Sequence, residues 1–150
     1  MSENQITETI IVRGNLEDVF FLWADVENFP QWMHDIKSVE NMGDHTSYWV
    51  MREGPNNTIL TWDVKTTLFE KNKRIAWRST GGDIETSGQV TFTPLSHNEV
   101  EITYTLHHAP PVNLDPTVVE ELFGDQGNRM QRDLRNFKAR MEEMEERMTP

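Results

Sequence analysis

Asn15–Asp35, NLEDVFFLWADVENFPQWMHD, spells two short helices with a kink between them. Asn15 can offer its side-chain oxygen to the free amides of a first turn, and Glu17 and Asp18 fall where that turn is electropositive. Val19, Phe20, Leu22 and Trp23 then make one apolar helical face. Asp25 and Asn28 break that pattern, and the residue before Pro30 is forced toward an extended conformation. Pro30 suits the first position of a second short helix carrying Trp32, Met33 and Ile36. Extended segments flank the pair on both sides. A bent helical pair inserted after a first strand implies a curved sheet whose mouth the pair closes.

Upstream, Ile6–Val12 alternates as a strand should. Downstream, Ser38–Met42 is a short second strand and His45–Arg52 a third, each ended by a turn signal. Gly54-Pro55-Asn56-Asn57 is the strongest hairpin signal in the chain. Ile59–Glu70, Arg74–Thr80, Thr86–Pro94 and Glu99–His108 follow as strands, separated by Lys71-Asn72-Lys73, Gly81-Gly82-Asp83 and Ser96-His97-Asn98. Both faces of His45–Arg52 are half apolar, Trp49 and Met51 on one and Tyr48 and Val50 on the other, so periodicity alone does not orient it; the other strands show one apolar and one polar face, as a sheet covered on one side requires. Ala109-Pro110-Pro111 stops the last strand, and Asp115-Pro116 is a helix start. One helix is expected from about Thr117 to about Arg147, roughly 45 Å long at 1.5 Å per residue. Its stripe is Val119, Phe123, Met130, Leu134, Phe137, Met141, Met144 and Met148. From Phe123, with Gly127 included, the spacing is an unbroken 4-3-4-3-4-3-4, yet Gly124 and Gly127 are odd inside a helix, each costing about 1 kcal/mol against alanine. They allow three readings: a close approach to the sheet, a weak turn that lets a pocket open, or a helix beginning only after Gly127.

Strand, two short helices, about six further antiparallel strands and a long helix make an α+β domain spanning residues 1–150, with a frayed tail at about 148–150. The 150 residues carry a net charge of −11, and the pI is near 4.8. That charge speaks against nucleic acid or an anionic membrane surface as the main partner. No cysteine is present, which removes thiol chemistry, disulfides and Cys-ligated zinc. No signal peptide is visible at the start, and no apolar run reaches the roughly 20 residues of a membrane helix. A cytoplasmic protein is the expectation. His107-His108 is not a metal motif, because neighbours on a strand point to opposite faces. No metal and no cofactor are expected.

The series Asp18-Val19-Phe20, Trp23–Glu27, Phe29–Met33, Ile36–Glu40, Arg74–Ser79, Gly88–Phe92 and Asp133–Lys138 covers nearly the whole chain in order. It resembles the helix-grip superfamily of START lipid-transfer domains, birch-pollen-allergen-like proteins and polyketide cyclases (SRPBCC), nearest to its cyclase/dehydrase branch, to which the coenzyme Q-binding START proteins are related. The resemblance implies a helix-grip fold: a curved antiparallel sheet of six to seven strands around a long C-terminal helix, enclosing a cavity. It implies an intracellular carrier of a small hydrophobic ligand that is lipid-, isoprenoid/quinone- or polyketide-like. A polyketide cyclase/aromatase is the alternative, and a protein-interaction module with a collapsed cavity is the third reading.

The candidate lining is Trp32 at the mouth, Trp62, Val64, Trp77, Val90, Phe92, Ile102 and Tyr104 on the sheet, and Phe123, Gly127, Met130 and Leu134 on the long helix. The same residues are also what an ordinary core would use. Tyr104 and His108 share one strand face and are the catalytic candidates, able to polarise a carbonyl or move a proton. The plain alternative is a satisfied core tyrosine and a solvated strand-end histidine. Arg52 and Arg78 fall on the parity opposite Trp49 and Trp77 and are expected in solvent. His34 sits beside the mouth, as a surface histidine or a headgroup contact. Met141–Met148, MEEMEERM, packs as a helix end or joins two copies; a monomer is the expectation.

Overall fold

The computed structural model describes residues 5–109 and 113–148. Seven antiparallel strands form one sheet: β1 (Gln5–Arg13), β2 (Ile36–Gly43), β3 (Thr46–Met51), β4 (Thr61–Glu70), β5 (Arg74–Gly82), β6 (Glu85–Ser96) and β7 (Glu99–Ala109). Their spatial order is β1-β7-β6-β5-β4-β3-β2, so all but β1 form a meander, and β1 closes onto β7. The buried face carries Val100, Ile102, Tyr104 and Leu106 from β7, Val90 and Phe92 from β6, and Trp62 and Val64 from β4. The period-2 alternation of the strands thus assigns the inner face as expected. Pro110-Pro111 and the tail beyond Met148 lie outside the described residues.

Helix α1 (Leu16–Ala24) begins as its sequence dictates, with the Asp18 amide donating to Asn15 Oδ1 at 2.8 Å. Val19, Phe20, Leu22 and Trp23 are all buried. The second short helix corrects the expectation. It is a 3-10 helix over Val26–Gln31 that contains Pro30 rather than starting at it, and Ile36 already opens β2. The reason is Asn28, a residue that reads as a pattern breaker but is buried. Its amide donates to the Leu22 and Asp25 carbonyls, and its Oδ1 accepts from Trp32 Nε1 at 2.9 Å. One buried amide therefore satisfies the end of α1 and fixes the kink.

The expected single C-terminal helix is two helices, α2 (Pro116–Phe123) and α3 (Gln126–Met148). Gly124 is extended and Asp125 takes a left-handed φ of 55°. The glycine penalty is realised here as a true break, two residues before the start of α3. The break also resets the helical phase, so α2 buries Val118 and Leu122 alongside Phe123. In α3 the stripe holds, with Met130, Leu134, Phe137 and Met141 at 1% exposure or less.

Side chains of the helices reach both outer strands. Lys138 Nζ donates to the Ile11 carbonyl at 2.9 Å, and the Arg13 amide donates to Glu142 at 3.0 Å. On β2, the Asn41 amide donates to Glu27 at 2.8 Å.

Candidate functional site

Between the concave sheet face and α3 lies a small internal cavity of about 60 Å³. Six of the residues singled out from sequence line it: Trp62, Val64, Trp77, Tyr104, His108 and Met130. Val90, Phe92, Ile102 and Leu134 are buried elsewhere in the core; Phe92 packs edge-on against Phe20 at 5.2 Å. Phe123 stands against the His108 ring, 6.0 Å between centroids, without lining the cavity. Gly127 faces β1, where an added Cβ would meet Glu8 at 3.4 Å. Trp32 is only 2% exposed, packed between Trp23 at 4.8 Å and Phe137 at 5.0 Å. The mouth position expected for Trp32 is taken instead by the next three residues.

Met33, His34 and Asp35 are stitched to α3. The His34 amide donates to Asp133 Oδ1 at 3.1 Å, and Asn136 Nδ2 donates to the Trp32 carbonyl at 3.2 Å. Asp35 Oδ2 accepts from Arg129 at 3.1 Å and from Arg132 at 3.0 Å. Arg129 does more: its Nε donates to the Gly124 carbonyl at 2.6 Å, and its Nη2 donates to the Glu121 carbonyl. One guanidinium thus caps the C-terminus of α2 and ties it to the start of β2, where a cation also complements the helix dipole.

Asp35 and Asp133 both line the inner cavity, as do Thr86 and Gln126. Asp133 was missed in sequence, yet the signal was present. It sits three residues after Met130 and four before Phe137, on the stripe itself, where an acid is out of place. Burial would raise the Asp35 carboxyl, but the hydrogen bonds from Arg132 and His34 and the charges of Arg132 and Arg129 hold it below its ordinary value. Burial wins at Asp133 and lifts it to about 6, against the His34 amide and Arg132. Burial, helped by His107, pushes His108 down to about 4, against the pull of Asp35. Burial, and then Asp133, raises the Tyr104 phenol. At neutral pH the inner cavity therefore holds a neutral imidazole and a protonated phenol beside two carboxylates. His108 Nδ1 is buried and has no hydrogen-bond partner.

The opposed shifts of His108 and Asp133 give a sign test. His108, lowered, contributes stability that is complete above 6.5 and is lost as pH falls through about 4. Asp133, raised, contributes stability that is complete below 3.8 and is lost as pH rises through about 6. Between roughly pH 4 and 6 the two slopes oppose, each approaching about 1.4 kcal/mol per pH unit. Urea melts of Asp133→Asn should therefore lose stability more steeply than wild type as pH falls through this window. His108→Gln should lose it less steeply. Three parallel pH profiles would refute both shifts.

Outside the cavity lies an open cleft of about 650 Å³, bounded by His34, Arg52, Gly54, Glu121, Arg129, Arg132 and Arg135 among others. Asp35, Met51 and Leu122 belong to both spaces, so they are the partition. Leu122 seats on the β3–β4 loop at Gly54, where an added Cβ would fall 2.6 Å from Leu122 Cδ2. Arg52 and Arg78 are exposed; Arg52 bounds the cleft and gives its Nε to the His34 carbonyl at 2.7 Å. Among the described residues, no group of three or more His, Asp or Glu is placed to hold a metal ion, and no helix is long and apolar enough to cross a membrane.

Comparison with known proteins gives a consistent picture. The profile of the polyketide cyclase / dehydrase and lipid transport family matches residues 12–135. An uncharacterised 17.2 kDa protein of Streptomyces lincolnensis is 29% identical over 146 residues, covering 93% of this chain and 91% of its own length. A Deinococcus radiodurans crystal structure superimposes with a TM-score of 0.73 at 27% identity, over 91% of this chain and 95% of that one. At the level of fold alone, the ZhuI aromatase/cyclase of Streptomyces sp. R1128 gives a TM-score of 0.68 at 18% identity, over 92% and 93% of the two chains. A START superfamily protein of Mycobacterium smegmatis gives 0.73 at 16%, over 93% and 98%.

Proposed function

The chain belongs to the polyketide cyclase / dehydrase and lipid transport family, and from that premise we propose that it binds a small, largely apolar ligand in the cavity between the sheet and α3. The observation that carries this reading is His108 Nδ1, buried in the cavity wall with no partner. An unsatisfied buried polar atom costs about 1–3 kcal/mol, which a ligand hydroxyl or carbonyl-bound water would recover. The walls around it are Trp62, Trp77, Val64 and Met130, suited to a flat ring or an isoprenoid chain.

A cavity of about 60 Å³ has room for one or two waters, not for such a ligand. Ligand sites usually span about 300–1,000 Å³. The cavity must therefore gain volume, and the partition at Leu122 is where it can. Withdrawing Leu122 from Gly54 joins the cavity to the outer cleft of about 650 Å³. The extended Gly124 and left-handed Asp125 supply a pivot for α2.

Two measurements test the reading. Native mass spectrometry of protein purified gently from its own host should show a stoichiometric apolar ligand. A panel of quinones, fatty acids and aromatic polyketides should raise the melting temperature. An empty protein with no thermal shift across the panel would refute it. Leu122→Ala should accelerate ligand exchange about tenfold by stopped-flow, because it removes the side chain that separates the two spaces; an unchanged exchange rate would remove Leu122 from the route.

A second reading has an observation of its own. Tyr104, His108 and Asp133 line one cavity, with His108 pushed down and Asp133 pushed up. Groups displaced in this way are what proton transfer needs, a neutral imidazole as base and a phenol or carboxyl as donor. This favours ring closure of a polyketide-like chain as the reaction. Turnover of a poly-β-keto substrate that is lost in His108→Gln would establish it; substrate bound but unchanged would leave carriage alone.

A further inference from the structure

We propose that the outer cleft is a headgroup site for an amphiphile bearing one compact oxyanion, a carboxylate or phosphate monoester, whose apolar part enters the inner cavity. The proposal rests on the binding reading above and adds the charge and polarity of the ligand. Four of the chain's 14 lysines and arginines bound this one cleft, in a protein of net charge −11. Arg129, Arg132 and Arg135 lie three residues apart on α3, so they follow one side of the helix. Arg52 faces them from the end of β3.

These four do not have equal freedom. Arg129 and Arg132 are held by Asp35, and Arg132 also by Asp133. They fix the floor. Arg52 donates one hydrogen bond, from Nε to the His34 carbonyl, and no other bond to its guanidinium is made among the described residues. Arg135 is exposed and has no acid within ion-pair distance among the described residues. A guanidinium with free terminal nitrogens matches a planar carboxylate or a phosphate face with two parallel hydrogen bonds. Glu53, Glu121 and Asp125 also bound the cleft, so it tolerates a single small anion and opposes a polyanion. The partition at Asp35, Met51 and Leu122 places the headgroup next to the apolar cavity, which is the layout an amphiphile needs.

The test compares 2-naphthoate, 2-naphthyl phosphate and neutral 2-naphthamide by calorimetry on the full chain. At least one anion should bind about tenfold tighter than the amide, and the tighter of the two names the headgroup. In the double variant Arg52→Gln/Arg135→Gln that ratio should fall toward one. Arg78→Gln, an exposed arginine on β5 outside the cleft, should keep it. Anion and amide binding equally well would overturn the headgroup site while the cavity reading stood. A preference that survived the double variant would also overturn it. If none of the three bound and the wider panel also failed, the cavity reading would fall and the headgroup site with it.

Discussion

Phe137→Ala should cost about 3–5 kcal/mol, the range for removing a large buried aromatic side chain. Phe137 is fully buried. Its ring lies 5.0 Å from Trp32 and 5.7 Å from Trp23, and Trp23 in turn meets Phe29 at 6.0 Å and Tyr104 at 5.2 Å. The ring therefore ties α3 to α1 and to the residue that ends the 3-10 helix, and Trp23 carries the cluster on to Phe29 and to Tyr104 on β7. Two large rings, Trp23 on α1 and Trp32 after the 3-10 helix, are themselves locked by further contacts and cannot both move inward to fill the space, so most of the cavity term remains. Edge-on aromatic pairs add about 0.5–1.5 kcal/mol each beyond area alone. Against a typical total of about 5–15 kcal/mol, the loss is a large fraction of the folding free energy. Urea unfolding of Phe137→Ala beside Phe21→Ala is the measurement. Phe21 is 63% exposed on α1, so its truncation should fall within about 0.5 kcal/mol of wild type. Equal midpoints for the two variants would show that the aromatic cluster does not hold the helices to the sheet.

Gly82→Ala should cost about 2–6 kcal/mol and weaken ligand binding as well. Gly82 has φ +107°, a region that residues with a side chain rarely adopt. Such strain costs about 1–3 kcal/mol. An added Cβ would also lie 2.4 Å from Trp62 Cα and 2.6 Å from the Thr61 carbonyl. These are backbone atoms of β4, so no side-chain rotation relieves the clash, and overpacking of this kind adds about 1–3 kcal/mol. The displaced residue is Trp62, which forms the cavity wall and stacks on Trp49 at 5.9 Å. Gly81→Ala is the control. Its Cβ would find its nearest atom at 3.7 Å, and it should fold almost as wild type. Paired thermal melts and ligand titrations separate the two. A Gly82→Ala protein that melts and binds like Gly81→Ala would overturn the argument.

The fold was legible because most strands repeat one simple period and because residues 15–35 announce a kinked helical insertion; only the structure orients β3, where Trp49 and Met51 turn inward. What the sequence could not give depended on contacts between distant segments. Asn28 reads as a breaker, and only its bonds to Leu22, Asp25 and Trp32 make it a buried staple. The heptad-like stripe ran unbroken through Gly127, so periodicity favoured one helix; the left-handed Asp125 made it two. Of the proposed lining, Trp62, Val64, Trp77, Tyr104 and Met130 face the cavity, while Val90, Phe92, Ile102 and Leu134 are buried in the core away from it. Alternation tells which face a residue takes, but not how far along the sheet the filled core gives way to open space. Asp133 is hard to single out because it is one of 25 acids, most of which a chain of net charge −11 keeps in solvent.

The side-chain bonds that reach the outer strands bear on how this protein behaves when crowded. An open sheet ends in two ribbons of unsatisfied amides and carbonyls, each a template on which a foreign strand can polymerise. Here Lys138 occupies the Ile11 carbonyl and Glu142 the Arg13 amide on one ribbon, and Glu27 occupies the Asn41 amide on the other. The blocking groups are charged, so an incoming strand must strip a lysine or a glutamate from its bond before it can pair. Removing them, as in Lys138→Ala/Glu142→Ala, leaves the inner face untouched and should hasten fibril growth under agitation.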